Sequence, residues 1–223
     1  MKKTLFISKK ITDNSFLSFC KEKELTLLDE PMISFKPIPF EAPKNSAYDA
    51  IFFSSKRSVN FFFAQVTPSS KHFIGSIGKV TAKAISDWGY KVDFIGENSG
   101  NPSSVAKLFK KTVGDKTILF PQSNISNRSI QQELDDNQVL DIVVYETFLL
   151  PRKLNVEPSV LVFTSPSNIS GYLQFNTINM DKQQVIAWGN TTAKFMKKNN
   201  ITPTCILTDS SIQELQEHIK QLI

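Results

Sequence analysis

The sequence predicts an α/β protein of two domains, each built on a parallel sheet of five strands. Three observations carry that prediction. From Tyr48 onward, short apolar runs alternate with helix-like segments at the pitch of βαβ crossovers. The strand runs are apolar throughout rather than at every second position, as a sheet covered on both faces requires. Finally, 223 residues with 40% hydrophobic and 21% charged side chains suffice for two cores of ordinary globular balance.

Thr4–Ile7 is rich in β-formers and reads as the first strand; Ser15–Lys23 follows with Phe16, Leu17, Phe19 and Cys20 at helical spacing. Leu25–Leu28 is the second strand. Pro31 to Pro43 holds four prolines among alternating apolar residues, which excludes a helix and suits an extended connector or edge strand. Strands are then expected at Ala50–Phe53, Lys71–Ile74, Val92–Ile95, Thr117–Phe120 and Val139–Tyr145. Helices are expected between them at Arg57–Ala64, Val80–Trp88, Val105–Thr112 and Ser129–Leu134, the third capped by Ser103 or Ser104. Gly89 and Gly114 mark two helix ends. Thr147–Pro158 is a second extended passage. Beyond it lie strands at Val160–Phe163, Gln184–Trp188 and Cys205–Leu207, with helices at Asn168–Leu173, Thr192–Asn199 and Ile212–Leu222.

Three strands after the second passage are too few for a sheet buried on both faces. The two N-terminal strands complete them to five. The sequence therefore predicts a discontinuous outer domain (1–31 plus 152–223), connectors at 32–43 and 147–151 forming a two-stranded link, and an inner domain at 44–146. Each domain is flavodoxin-like in its order of strands and helices.

A net charge of +5 suits an anionic ligand, but no Lys/Arg run is dense enough to track a nucleic-acid backbone. Cys20 and Cys205 form no close pair and read as reduced, buried thiols. His72 and His218 lack companions at metal-ligand or triad spacing. Lys9-Lys10 interrupts the N-terminal apolar run, and no stretch approaches a membrane span, so the expected setting is the cytoplasm, without membrane contact.

The chain repeats itself. Phe52–Ser55 matches Val162–Ser165 at a separation of 110 (164 − 54), and Gly78–Lys83 matches Gly189–Lys194 at 111 (192 − 81). Ser103-Ser104-Val105 matches Ser210-Ser211-Ile212 at 107 (210 − 103). All three are polar turns between a strand and a helix. In an open parallel sheet, ligands bind outside the carboxyl ends of the strands, where such turns lie. The expected lining is Lys9, Ser54, Ser55, Lys56, Gly78, Thr81, Thr164, Ser165, Gly189, Asn190, Thr191 and Thr192, facing a common cleft. These hydroxyls, amides and cations suit a ligand with many negative charges, since one helix N-terminus contributes only ~0.3–1 kcal/mol. Each Ser, Thr or Asn is equally an ordinary N-cap, and Trp88, Trp188 and the phenylalanines read as core.

In colinear order, Ser54–Val59, Gly78–Ala82, Val144–Thr147, Phe163–Ser167 and Gly189–Ala193 resemble the uroporphyrinogen-III synthase family over nearly the whole chain. The resemblance implies two α/β domains joined by a two-stranded connector. It implies closure of hydroxymethylbilane, a linear tetrapyrrole with eight carboxylates, to uroporphyrinogen III with inversion of the last ring and loss of water. No metal and no organic cofactor is implied. The implied partners are this substrate and, transiently, hydroxymethylbilane synthase, with the chain acting as a monomer. Tyr145 aligns with the tyrosine of the Tyr-x-Thr element and is implied as proton donor to the departing hydroxyl, a phenol being neutral at pH 7. It serves equally as a connector anchor. Thr192 and Thr81 align with carboxylate-binding threonines, Thr192 being implied with Tyr145 as a catalytic residue, and Arg128 aligns loosely with an arginine opening a helix.

The chain also departs from the family pattern. Ser8-Lys9-Lys10 stands where many members have Thr-Arg-Pro, keeping a cation without its forked geometry. Pro121-Gln122 replaces Arg-Gly, and Gly189-Asn190-Thr191-Thr192 replaces Gly-Pro-Thr-Thr. The rival reading is a two-domain small-anion-binding protein without catalysis. A receiver-like signalling module would want acidic strand ends, and these are rich in hydroxyls instead.

Overall fold

The computed structural model describes residues 3–97 and 99–222. The chain divides into two compact units: Met1–Ser34 with Phe148–Ile223, and Phe35–Thr147 between them.

In the first unit, β1 (Thr4–Ile7), β2 (Thr26–Asp29), β9 (Val160–Phe163), β10 (Gln184–Ala187) and β11 (Cys205–Ile206) form one parallel sheet in the order β11-β10-β9-β1-β2. Alternate residues of its strands feed two separate cores. Leu5, Ile7, Val160, Val162 and Ile186 pack under α1 (Asn14–Glu22) and α7 (Ile212–Leu222), meeting Phe16, Phe19, Leu215 and Ile219. Phe6, Leu161, Phe163, Val185 and Ala187 face the other way, toward α5 (Pro166–Tyr172) and α6 (Asn190–Lys198). That double duty is why the strands read as unbroken apolar runs.

The second unit repeats the plan. Its parallel strands are β4 (Ala50–Phe53), β5 (Phe73–Ser76), β6 (Phe94–Ile95), β7 (Ile118–Ser123) and β8 (Val139–Leu149). The proline-rich connector supplies a sixth, edge strand, β3 (Ile33–Pro37), so the sheet runs β3-β8-β7-β4-β5-β6. Ile51, Phe53, Ile74, Leu119 and Val144 face α2 (Lys56–Phe63) and α3 (Lys79–Asp87). Ala50, Phe52, Ile118 and Phe120 face α4 (Pro102–Val113). Here Phe52 and Phe109 stand 4.5 Å apart, centre to centre.

Several local expectations change. Residues 129–134 form no α-helix; only a 3-10 turn, Gln131–Glu133, forms there, after Arg128 takes a left-handed φ of 52°. The cap of α4 is neither Ser103 nor Ser104 but Asn101, whose Oδ1 accepts from the Ser104 amide at 3.3 Å, with Pro102 in the first turn. Ser103 instead donates to Glu133 at 2.7 Å. Strand β8 runs on to Leu149, past a bulge in its pairing with β7 at Gln122/Ser123. Trp88 is 44% exposed rather than core, its indole N–H donating to Asn60 at 3.2 Å. Cys20 is buried, which pushes its thiol up to about 11, whereas Cys205, on edge strand β11, is only half-buried.

Gly171 in α5 touches the chain beyond β2: a Cβ there would lie 2.3 Å from the Met32 carbonyl oxygen and 2.9 Å from the Met32 Cβ. The same helix holds that segment through Asn168, which accepts from the Met32 amide at 2.8 Å. Gly171→Ala is therefore expected to destabilise this unit by about 1–3 kcal/mol, the usual range for overpacking. Chemical denaturation checks it; an unchanged midpoint would show that the helix can shift away at no cost.

Candidate functional site

In both units the polar residues singled out by the repeat stand at the carboxyl ends of the parallel strands. Their hydroxyls are not equivalent, because some are already occupied in holding the fold.

In the first unit, Ser8 and Lys9 end β1, Thr164 and Ser165 end β9, and Trp188 and Gly189 end β10. Thr164 is a tie between strands: its amide donates to Ser8 Oγ at 2.8 Å, and its hydroxyl donates to the Ser8 carbonyl at 3.2 Å. Ser165 caps α5, accepting from the Asn168 amide at 3.3 Å and from the Asn168 Nδ2 at 2.9 Å. By contrast α6 opens on Gly189 with no side-chain cap. The first amides of α6 therefore lack the acceptor that a Ser or Asp cap would supply. Asn190 and Thr191 are exposed in this turn; Thr192 is 4% exposed, and its hydroxyl has no hydrogen-bond partner among the described residues.

The loop after β11 holds this turn from beneath. Ser210, at a left-handed φ of 52°, donates to the Trp188 carbonyl at 2.6 Å. Glu214, in the first turn of α7, accepts from the Thr208 amide at 2.6 Å, the Thr208 hydroxyl at 2.7 Å and the Asp209 amide at 2.9 Å. Burial pushes the Glu214 carboxyl up, but these bonds and the nearby His218 outweigh it and leave it below its ordinary value.

In the second unit, Ser54 is exposed at the end of β4, and Ser55 caps α2, accepting from the Ser58 amide at 3.0 Å. Lys56 follows, exposed. Gly78 opens α3 without a side-chain cap, and Thr81 is 4% exposed with no hydroxyl partner among the described residues. Tyr145, on β8, is 7% exposed and brings its hydroxyl to 3.4 Å from Ser55 Oγ. Its ring stacks on Phe61 at 5.1 Å and meets Phe35 edge-on at 6.1 Å. Arg128 does not open a helix; its guanidinium is paired with Asp141 at 2.8 Å.

Sequence reasoning missed Arg57. Its guanidinium lies 3.8 Å from the centre of the Phe35 ring, on the same aromatic cluster as Tyr145. Burial lowers the Arg57 pKa and Tyr145 opposes that, yet the group stays cationic at neutral pH. The signal was the four-residue spacing to Phe61, which puts both on one face of α2.

The structure also corrects the third repeat match. A Cβ on Gly78 would lie 3.1 Å from Ser99 Cβ, and one on Gly189 would lie 3.1 Å from Ser210 Oγ. Ser99 is thus the counterpart of Ser210, at the same separation of 111 as the glycines (210 − 99; 189 − 78). Ser103-Ser104, at 107, is not.

Residues 18–216 match the family model described as "Uroporphyrinogen-III synthase HemD". The chain belongs to the uroporphyrinogen-III synthase family. It is 24% identical over 233 aligned positions to a "Porphyrin biosynthesis protein HemD" of Ruminiclostridium josui. That alignment takes in 90% of this chain and 46% of the relative, so the chain spans about half the relative's length. Among solved structures it is similar to the uroporphyrinogen-III synthetase of Helicobacter pylori, with a TM-score of 0.71 and 21% identity over the whole of both chains. A mutant uroporphyrinogen III synthase of Thermus thermophilus superposes with a TM-score of 0.66 at 14% identity, over 99% of this chain and 98% of that one. At those identities the likeness is one of fold: two α/β domains, as in the family.

The depressed Glu214 carboxyl carries a pH dependence. A group whose pKa is lower in the folded state contributes stability above its unfolded value, about 4 for a glutamate, and loses it as pH falls through the folded value. Glu214→Gln should therefore flatten the acid side of a plot of melting temperature against pH, with its largest deficit near neutrality. Parallel curves for the two proteins would exclude this role.

Proposed function

We propose that the chain cyclises hydroxymethylbilane to uroporphyrinogen III, inverting the last ring and losing water, as a carbon–oxygen lyase of tetrapyrrole biosynthesis. In this reading it works in the cytoplasm as a monomer and takes its substrate through transient contact with hydroxymethylbilane synthase. The observation that carries the chemical step is the placement of Tyr145: a nearly buried residue on β8, where its pairing with β7 ends, with its hydroxyl 3.4 Å from Ser55 Oγ and the cation of Arg57 nearby.

The carbon–oxygen bond of the terminal hydroxymethyl group breaks, and the proton of Tyr145 goes to the departing oxygen, so the leaving group is water. The electrons come from the attached pyrrole, which becomes a reactive azafulvene. The substituted carbon of the last ring then attacks that carbon, and its older bond to the methylene bridge breaks. The ring's unsubstituted carbon bonds to the released methylene and gives up its proton, which closes the macrocycle with the ring inverted. The nearby Arg57 cation stabilises the phenolate left on Tyr145 until a proton returns from the product. Most of the rate in this scheme comes from holding the two ends of the substrate together, an orientation effect.

Substrate carboxylates are assigned to side chains and helix-start amides without a structural hydrogen bond. In the first unit these are Lys9, Gly189, Asn190, Thr191 and Thr192; in the second they are Ser54, Lys56, Arg57, Gly78 and Thr81. Ser55, Thr164 and Ser165 also line these ends, but their hydroxyls already serve as caps and ties. Eight carboxylates on one ligand make many individually weak contacts sum to useful binding.

Purified protein supplied with hydroxymethylbilane should give uroporphyrinogen III, read as the ratio of isomers III and I. Formation of isomer I alone, at the uncatalysed rate, overturns the assignment, and binding without turnover would favour the anion-binding alternative. Tyr145→Phe keeps the stacking on Phe61 and should lower kcat by roughly 100-fold or more, the scale of general acid catalysis. Thr192→Ala and Arg57→Gln should chiefly raise KM. Full activity in both Tyr145→Phe and Thr192→Ala would remove the proposed site.

A further inference from the structure

Lys9 is a half-buried cation at the end of β1, with its ammonium 4.1 Å from the centre of the Trp188 ring. Burial lowers its pKa, and the charge of Asp13 partly opposes that. Among the described residues, no carboxylate lies within ion-pair distance of Lys9. Its neighbour Lys10, by contrast, sits 3.2 Å from Asp29 and 3.7 Å from Glu30. A desolvated ammonium without a counter-ion is costly, and the negative face of an indole is the strongest aromatic compensation for it.

Trp188 is itself held. Its side chain packs against the core beneath α1 and α7, and its carbonyl accepts the 2.6 Å bond from Ser210. The left-handed backbone of Ser210 is uncommon for a serine, and the three bonds to Glu214 fix the residues just before it. Glu214, Ser210, Trp188 and Lys9 thus form a series in which each residue restrains the next.

We infer that Trp188 is a positioning residue: its ring keeps the Lys9 ammonium at the strand ends, free of protein carboxylates, to meet a carboxylate of the ligand. The functional half of this inference rests on the proposed polycarboxylate substrate. The pairing of ring and ammonium does not. A tryptophan that merely fills the periphery of the core would leave Lys9 indifferent to its replacement.

The ring current of the indole supplies a readout independent of activity. In carbon-resolved proton spectra, the ε-methylene signal of Lys9, assigned by its loss in Lys9→Ala, should lie upfield of the other lysines. Trp188→Leu should return it to the common position, Trp188→Phe should keep part of the displacement, and Ser210→Ala should reduce it. With hydroxymethylbilane as substrate, Trp188→Leu should raise KM about fivefold with kcat nearly unchanged, a loss of uniform binding on the scale of one cation–π contact. Trp188→Phe should recover much of that rise, and Trp188→Leu should add nothing in a Lys9→Ala background.

An undisplaced Lys9 signal in the wild type, or independent multiplication of the Trp188→Leu and Lys9→Ala effects on KM, overturns the inference. If the wild-type protein does not cyclise hydroxymethylbilane at all, the proposed activity falls together with the ligand role of Lys9. The spectra then still uphold or overturn the pairing.

Discussion

Burial of both faces of a parallel sheet is the constraint on which the rest of this structure depends. Every strand of the first sheet sends one set of side chains under α1 and α7 and the other under α5 and α6. Such strands have no polar face to offer a ligand. Polar chemistry is thereby confined to the strand ends and the turns that follow them, where backbone amides at helix starts are already unpaired. The inner strands of the second unit obey the same rule with a larger share of phenylalanine, including the Phe52–Phe109 contact at 4.5 Å, whereas β8 is only partly covered and carries Tyr145 within its length.

That constraint explains what could be read in advance. Continuous apolar runs such as Ala50–Phe53 and Val160–Phe163 announce a covered parallel sheet, and they are strands buried along their whole length. Short-range chemistry was harder to read. At the start of α4, Ser103, Ser104 and Asn101 all have side chains able to cap, and the decision fell to Pro102, which fits best as the first helical residue and pushes the cap back to Asn101. At 129–134 the periodicity was too brief to nucleate a helix, and the Arg128–Asp141 and Gln131–Asp141 contacts hold the segment in turns. The repeat was legible at two of its three points. The third, Ser99 with Ser210, depends on which side chain sits over a glycine, and spacing alone does not carry that.

The candidate site was legible as a set of positions more than as a set of roles. By residue type and spacing alone, apart from the resemblance that singles out Thr192, Thr164, Ser165 and Thr192 are alike as hydroxyls at strand ends. The structure separates them: Thr164 and Ser165 are engaged by Ser8 and Asn168, while the Thr192 hydroxyl has no partner among the described residues. The same division holds in the second unit between Ser55, a cap, and Thr81. Arg57 and Trp188 were read as a helix start and a core residue. Each is that and also half of a cation–ring pair, Arg57 on Phe35 and Trp188 under Lys9.

Those two pairs point to a common solution in units whose sequences otherwise diverge. In the proposed reading, a strand end that takes anions needs cations that are placed but not neutralised by the protein's own carboxylates. An ion pair would place the cation and spend its charge; full exposure would keep the charge and lose the placement. An aromatic face does neither, since its quadrupole steadies the cation at a fraction of the cost of a counter-ion and leaves the donors on the far side free. Arg128 and Lys10 took the other course, pairing with Asp141 and Asp29, and so serve the fold. Under the proposed assignment the aromatic neighbour separates Lys9 and Arg57 from the structural Lys10 and Arg128, while Lys56 stands exposed without such a hold.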